Sequence, residues 1–134
     1  MNYSVKATSV GNQNASIQIK QSTIDFGITA ESSDSLPNPA ELFLGSLSAC
    51  ILKNVERFSN LMQFDYSNAE IIIGAIRQEK PPKMDEIHYV LKIYSQDANL
   101  NLDLLQKNIE KFGTIYNTVK ATCDITGTIE KITL

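Results

Sequence analysis

Apolar and polar residues alternate from the start of the chain. Tyr3, Val5 and Ala7 interleave with Ser4, Lys6 and Thr8, the period-two pattern of a half-buried strand. Gly11-Asn12-Gln13-Asn14 is turn-rich, and Ile17 and Ile19 then resume the alternation, so the spacing predicts a hairpin. Ile24, Phe26 and Ile28 predict a third short strand, and residues 30–37 (AESSDSLP) a polar loop. The period then changes. Phe43, Leu47, Ile51, Val55, Phe58 and Met62 recur at intervals of three and four, which predicts a helix from Pro39 to about residue 61. Its start is written in Asn38-Pro39-Ala40-Glu41: Asn38 can cap free amides, Pro39 suits the first helical position, and Glu41 can reach back to the cap. Leu42, Leu44, Ala49 and Leu52 widen the apolar surface beyond one stripe, so this helix should be buried on more than one side.

Residues 69–78 (AEIIIGAIRQ) and 85–95 (DEIHYVLKIYS) read as strands, joined through Pro81-Pro82 as a second hairpin. Asn101 caps a second helix with Leu102, Leu105, Ile109 and Phe112 on one face and Gly113 as its stop. Ile125, Ile129 and the region of Ile132 close the chain with a strand. The order predicts an α+β fold: one domain over residues 1–134, with antiparallel sheets packed around a long central helix.

Composition removes several classes of function. With 43% hydrophobic and 20% charged residues the chain is neither disordered nor membrane-like. A net charge of -3 argues against nucleic acid, whose binding surfaces are basic. The longest apolar stretch, Leu42 to Leu52, is interrupted by Gly45, Ser46 and Ser48 and falls well short of the roughly 20 residues a bilayer span needs. The N-terminus lacks the basic-then-apolar order of a signal peptide. The expectation is a cytoplasmic protein without a membrane partner, whose two cysteines, Cys50 and Cys123, are free thiols.

Candidate chemistry is sparse. His88, the only histidine, reads as a solvated residue on the strand face opposite Ile87, Tyr89, Leu91 and Ile93. No Cys/His/Asp cluster has metal-ligand spacing, and no glycine-rich phosphate loop is present, so neither metal nor cofactor is expected. Cys50 stands within the long helix, in Leu47-Ser48-Ala49-Cys50-Ile51-Leu52. A free cysteine there can be a small core residue. The helix dipole fades beyond the first turn, so a reactive thiolate would need a cation, and Lys53 is within side-chain reach along the helix.

Residues 38–50, NPAELFLGSLSAC, resemble the helix-opening signature of the OsmC/Ohr superfamily, in which a proline-and-glutamate start leads to a cysteine. The order of elements resembles it too, including a Tyr-x-x-Val turn before the last strand, here Tyr116-Asn117-Thr118-Val119. The likeness is to the broad OsmC-like branch. It implies an intertwined homodimer with active sites at the subunit interface, and thiol-based reduction of organic hydroperoxides. In that chemistry one cysteine attacks the peroxide and becomes a sulfenic acid, and a second closes a disulfide.

Carried over by residue, the resemblance makes Cys50 the attacking cysteine. The second-cysteine position falls on Asn117. Cys123 lies six residues later, about 9 Å away even along a helix, beyond the roughly 7 Å that a disulfide allows between Cα atoms. The family's thiolate-holding arginine comes from the N-terminal strands, whereas the arginines here are Arg57 and Arg77. The peroxidase branch has its glutamate where this chain has Ala40, one position before Glu41. The site read from the sequence is therefore Cys50, with Glu41 and Lys53 as candidate helpers. Two functions compete: reduction of a hydroperoxide or other small electrophile with an external thiol, and non-catalytic binding of a small apolar ligand at the dimer interface.

Overall fold

A computed structural model describes residues 1–133 and contains three antiparallel strands, a long helix, two further strands, two short helices and a last strand. The chain forms two compact units, Met1–Phe43 and the remainder from Leu44 onward. In the first, β1 (Lys6–Ser9), β2 (Ala15–Ile19) and β3 (Ser22–Phe26) make an antiparallel meander. Asn12 and Lys20 take positive φ, 64° and 53°, in its two turns. The alternation at Tyr3 and Val5 misleads in one respect. The paired strand begins only at Lys6, and Tyr3 and Val5 are 80% and 62% exposed. Alternation marks which residues share a face, but β1 is an edge strand, and its four residues remain exposed.

Helix α1 runs Pro39–Met62, and its entry is the reciprocal cap expected from the sequence. The Glu41 backbone N–H donates to Asn38 Oδ1 at 2.8 Å, and the Asn38 N–H donates to Glu41 Oε1 at 3.0 Å. Beyond Leu44 the helix joins the core of the second unit, where Leu47, Ile51, Val55 and Phe58 are buried at helical spacing. They pack in one cluster with Ile87, Tyr89, Leu91 and Ile93 from β5 (Pro82–Tyr94). Leu105 and Ile109 of α2 (Leu102–Phe112) and Tyr116 and Val119 of α3 (Thr114–Lys120) complete it.

The second sheet has the order β4-β5-β6, with β4 spanning Asn68–Glu79 and β6 Ile125–Ile132. β4 and β5 form the expected antiparallel hairpin. β6 differs from the expectation of antiparallel sheets, because it pairs with β5 in parallel. The chain leaves β5 and returns through α2 and α3, and a helical crossover of that length delivers a parallel strand. The Tyr116-x-x-Val119 segment is likewise not a turn but part of α3, a helix whose Tyr116 and Val119 both face the core.

Candidate functional site around Cys50

The apolar stripe of α1 decides what Cys50 can do. Leu47 and Ile51 are fully buried, whereas Cys50, at the edge of the stripe, is only half-buried and is a free thiol. One turn on stands Asn54, a polar residue 8% exposed. Its Nδ2 donates to the Cys50 carbonyl at 3.0 Å and lies 3.8 Å from Cys50 Sγ. The sulfur also meets the junction of α2 and α3. A Cβ on Gly113 would come within 3.1 Å of Sγ, 3.0 Å of the Ile109 carbonyl and 2.9 Å of Tyr116 Cβ. Only glycine lets the backbone of this junction close on the thiol. Tyr116 is buried, and that burial, with the nearby Glu110 carboxylate adding to it, pushes its phenol well above the usual range. At neutral pH it stays a neutral phenol and supplies no phenolate base.

The residues proposed from sequence divide on inspection. Lys53 is exposed, and among the described residues the single ion pair is Arg77–Glu79 at 3.7 Å. Glu41 has its carboxylate on the Asn38 amide. The Arg57 guanidinium lies over the rings of Phe58 and Phe112, at 5.4 and 5.9 Å. Asn117, at the second-cysteine position, donates from its side chain to the Lys111 carbonyl at 3.0 Å and so closes the end of α2. Cys123 Sγ is turned to the carbonyl of Met84, near the start of β5, at 3.5 Å. His88 is exposed, with Nδ1 2.9 Å from Thr126 Oγ1. Asn54 and Gly113 were not singled out from sequence. A polar side chain one turn after the cysteine, on an otherwise apolar face, was the signal for Asn54; Gly113 read only as a helix stop.

Cys50 lines none of four prominent cavities formed by the described residues. One of about 650 Å³ lies between residues 65–67 and 94–97, where the Ser95 hydroxyl donates to the Asp65 carbonyl and the Tyr66 and Tyr94 hydroxyls donate to the Glu56 and Glu70 carboxylates. The Asp97 carboxylate accepts from the Asn99 and Asp65 N–H groups, both at 2.8 Å, which holds it below the usual carboxylate range. Among the described residues no group of three or more His, Cys, Asp or Glu side chains could hold a metal ion. No helix among them is long and apolar enough to cross a membrane.

Residues 32–127 match the sequence model of the family described as OsmC-like protein, a span that holds Cys50, Asn54 and Gly113. The chain belongs to the OsmC-like family. The OsmC-like fold extends well beyond the matched span. The OsmC-like protein from Mycoplasma pneumoniae superposes with a TM-score of 0.87 at 14% identity, covering 98% of both chains. OhrB of Bacillus subtilis, an organic hydroperoxide resistance protein, superposes at 0.61 with 16% identity, over 95% of this chain and 98% of that one. An organic hydroperoxide resistance protein OsmC from Legionella pneumophila gives 0.65 and 16%, over 96% and 97%. At these identities the likeness establishes the OsmC-like fold. No curated protein shows significant sequence similarity to the chain.

Proposed function

We propose that this OsmC-like protein is a thiol-dependent redox protein in which Cys50 reduces organic hydroperoxides and an external thiol restores it. One observation carries the reading. Cys50 is not sealed like Ile51 beside it but is only partly buried, with its sulfur near the Asn54 amide and the Gly113 backbone. A cysteine kept only as a small apolar filler has no use for a buried amide aimed at its sulfur. Two structural relatives are named for organic hydroperoxide resistance, which supports this choice of substrate.

The chemistry follows from the thiolate. Its sulfur attacks the terminal peroxide oxygen, the O–O bond breaks, and the alkoxide leaves and takes a proton to become an alcohol. Cys50 is then a sulfenic acid. A thiol from a small dithiol attacks that sulfur, releasing water and forming a mixed disulfide. The dithiol's second thiol attacks the mixed disulfide, leaving a cyclic disulfide and free Cys50. Cys123 takes no part, because its sulfur is held against β5. Lys53 lies in solvent, where its charge is screened, and Glu41 serves the helix cap.

Treatment with substoichiometric cumene hydroperoxide, then dimedone trapping and peptide mapping, tests the assignment. The dimedone adduct should appear on Cys50, and no Cys50–Cys123 bridge should form. An efficient internal bridge would overturn the external-thiol step. A Cys50 that alkylates no faster than an unperturbed thiol would favour the competing reading, a non-catalytic binder of a small apolar ligand. What favours that reading now is the exposed position of Lys53, which gives the sulfur no close cation.

The working protein is, in this proposal, a homodimer in the cytoplasm. The exposed side of α1 carries Gly45, Ser46 and Ala49, small residues that let a second helix approach closely. Leu61, further along the same helix, is 65% exposed and would be covered by such a partner. An obligate interface here should bury more than roughly 2,000 Å². Sedimentation equilibrium at micromolar protein should show twice the chain mass of 14.9 kDa; a stable monomer would contradict it.

A further inference from the structure

Asn54 is buried on the α1 face that carries Leu47, Ile51, Val55 and Phe58, where an amide is costly unless its protons are used. One use is redundant. The Cys50 carbonyl at 3.0 Å is the acceptor that the α-helix already assigns to the Asn54 backbone N–H. That bond alone does not justify asparagine, a poor residue for a helix interior. What the side chain adds is a donor at the sulfur, 3.8 Å away. The Gly113 backbone also lies against this sulfur, where an added Cβ would come within 3.1 Å of it.

Several charged groups on the surrounding elements are directed elsewhere. On α1, Lys53 is exposed and Arg57 lies over Phe58 and Phe112. On α2, the Lys111 ammonium is 5.3 Å from the Phe112 ring centre and the Glu110 carboxylate lies near the Tyr116 phenol. On α3, Lys120 sits over the Tyr116 ring at 5.9 Å. Among the described residues, the side chain that donates to the Cys50 sulfur is Asn54.

Resting on the function proposed above, we infer that Asn54 is a positioning residue that stabilises the Cys50 thiolate by a neutral hydrogen bond, in place of a cation. A thiolate accepts far more strongly than a thiol, so the bond favours the charged form. It also fixes the rotamer from which the sulfur meets the peroxide.

The test is the pH profile of Cys50 alkylation by iodoacetamide in the full-length Cys123→Ser protein. Asn54→Leu removes the donor while keeping the branched side-chain skeleton, with bulkier methyl groups in place of the amide. It should move the midpoint up by about one pH unit, slowing alkylation about tenfold at neutral pH. Asn54→Asp keeps the shape but sets a carboxylate beside the sulfur and should move the midpoint further up. Asn54→Ser, which retains a donor, should lie between wild type and Leu. A purely packing role would lower the melting temperature and leave the midpoint in place. The unsubstituted Asn54 gives an independent reading by NMR: its side-chain NH2 signals should shift with the titration of Cys50. A wild-type midpoint below that of an unperturbed thiol, combined with an unmoved midpoint in the variants or static Asn54 signals, would overturn the role of Asn54 alone. An unperturbed wild-type midpoint with no peroxide turnover would remove the proposed function itself.

Discussion

Gly127→Ala should lower the melting temperature by about 10 °C or more, the largest single-residue loss of stability expected in this protein. Gly127 pairs with Tyr89 across the parallel β5–β6 ladder, and a Cβ built on it would collide with the Tyr89 ring carbons Cε1, Cζ and Cε2. Tyr89 is fully buried, so its ring has nowhere to retreat without moving Leu105, Ile109 and their neighbours in the core. Forcing extra volume into such a core costs about 1–3 kcal/mol. The displacement also breaks a small network in which Gln106 Nε2 donates to the Tyr89 hydroxyl at 3.2 Å and to the Gly127 carbonyl at 3.0 Å. Each lost bond adds about 1 kcal/mol. At about 3 °C per kcal/mol for a chain of this size, the sum reaches the stated shift. Gly74→Ala is the control within the same sheet, since its Cβ would meet no atom within 4 Å. Thermal melts followed by circular dichroism decide the matter. A Gly127→Ala protein melting within 2 or 3 °C (roughly 1 kcal/mol) of wild type would show that the Tyr89 packing is wrong.

The helix that carries the site was legible because its signals are local. Asn38, Pro39 and Glu41 announce a capped start within four residues, and the cap forms as the residues dictate. The face of β5 was legible for the same reason: Ile87, Tyr89, Leu91 and Ile93 alternate, and all four are fully buried. Strand direction is not a local property. Alternation in β6 says which side chains face the core, and it reads the same for a parallel or an antiparallel partner. The parallel pairing comes from the two helices before β6, and the second of these looked like a turn.

The site divides along the same line. Cys50 stands out in the sequence as a candidate, through its helix and the family resemblance. What touches its sulfur could not. Gly113 does stop α2, as its type suggests, but it also lets the α2–α3 junction close on a sulfur far away in the chain. Asn117 shows the reverse. Its place in the family's motif marks it as a missing cysteine, whereas its side chain closes the end of α2. Lys53 was chosen because it is near in sequence, yet on α1 it points to solvent while Asn54, one residue on, points inward. A one-residue step turns a helix by about 100°, enough to exchange those two fates.

Cys50→Ser should abolish whatever peroxide chemistry the protein performs. Serine preserves the size and leaves the Asn54 contact and the Gly113 approach in place, so the fold should survive. Its hydroxyl is no nucleophile at neutral pH without a general base, and the neighbouring Tyr116 phenol, held protonated by burial, is not one. The rate should therefore fall to the uncatalysed background, about three orders of magnitude or more. The decisive measurement is the thiol-dependent consumption of cumene hydroperoxide by wild type, Cys50→Ser and Cys123→Ser, with a dithiol and a monothiol supplied separately. The account predicts turnover by wild type and Cys123→Ser, faster with the dithiol, and none by Cys50→Ser. Turnover by Cys50→Ser at the wild-type rate, or its absence from wild type with both thiols, would contradict it.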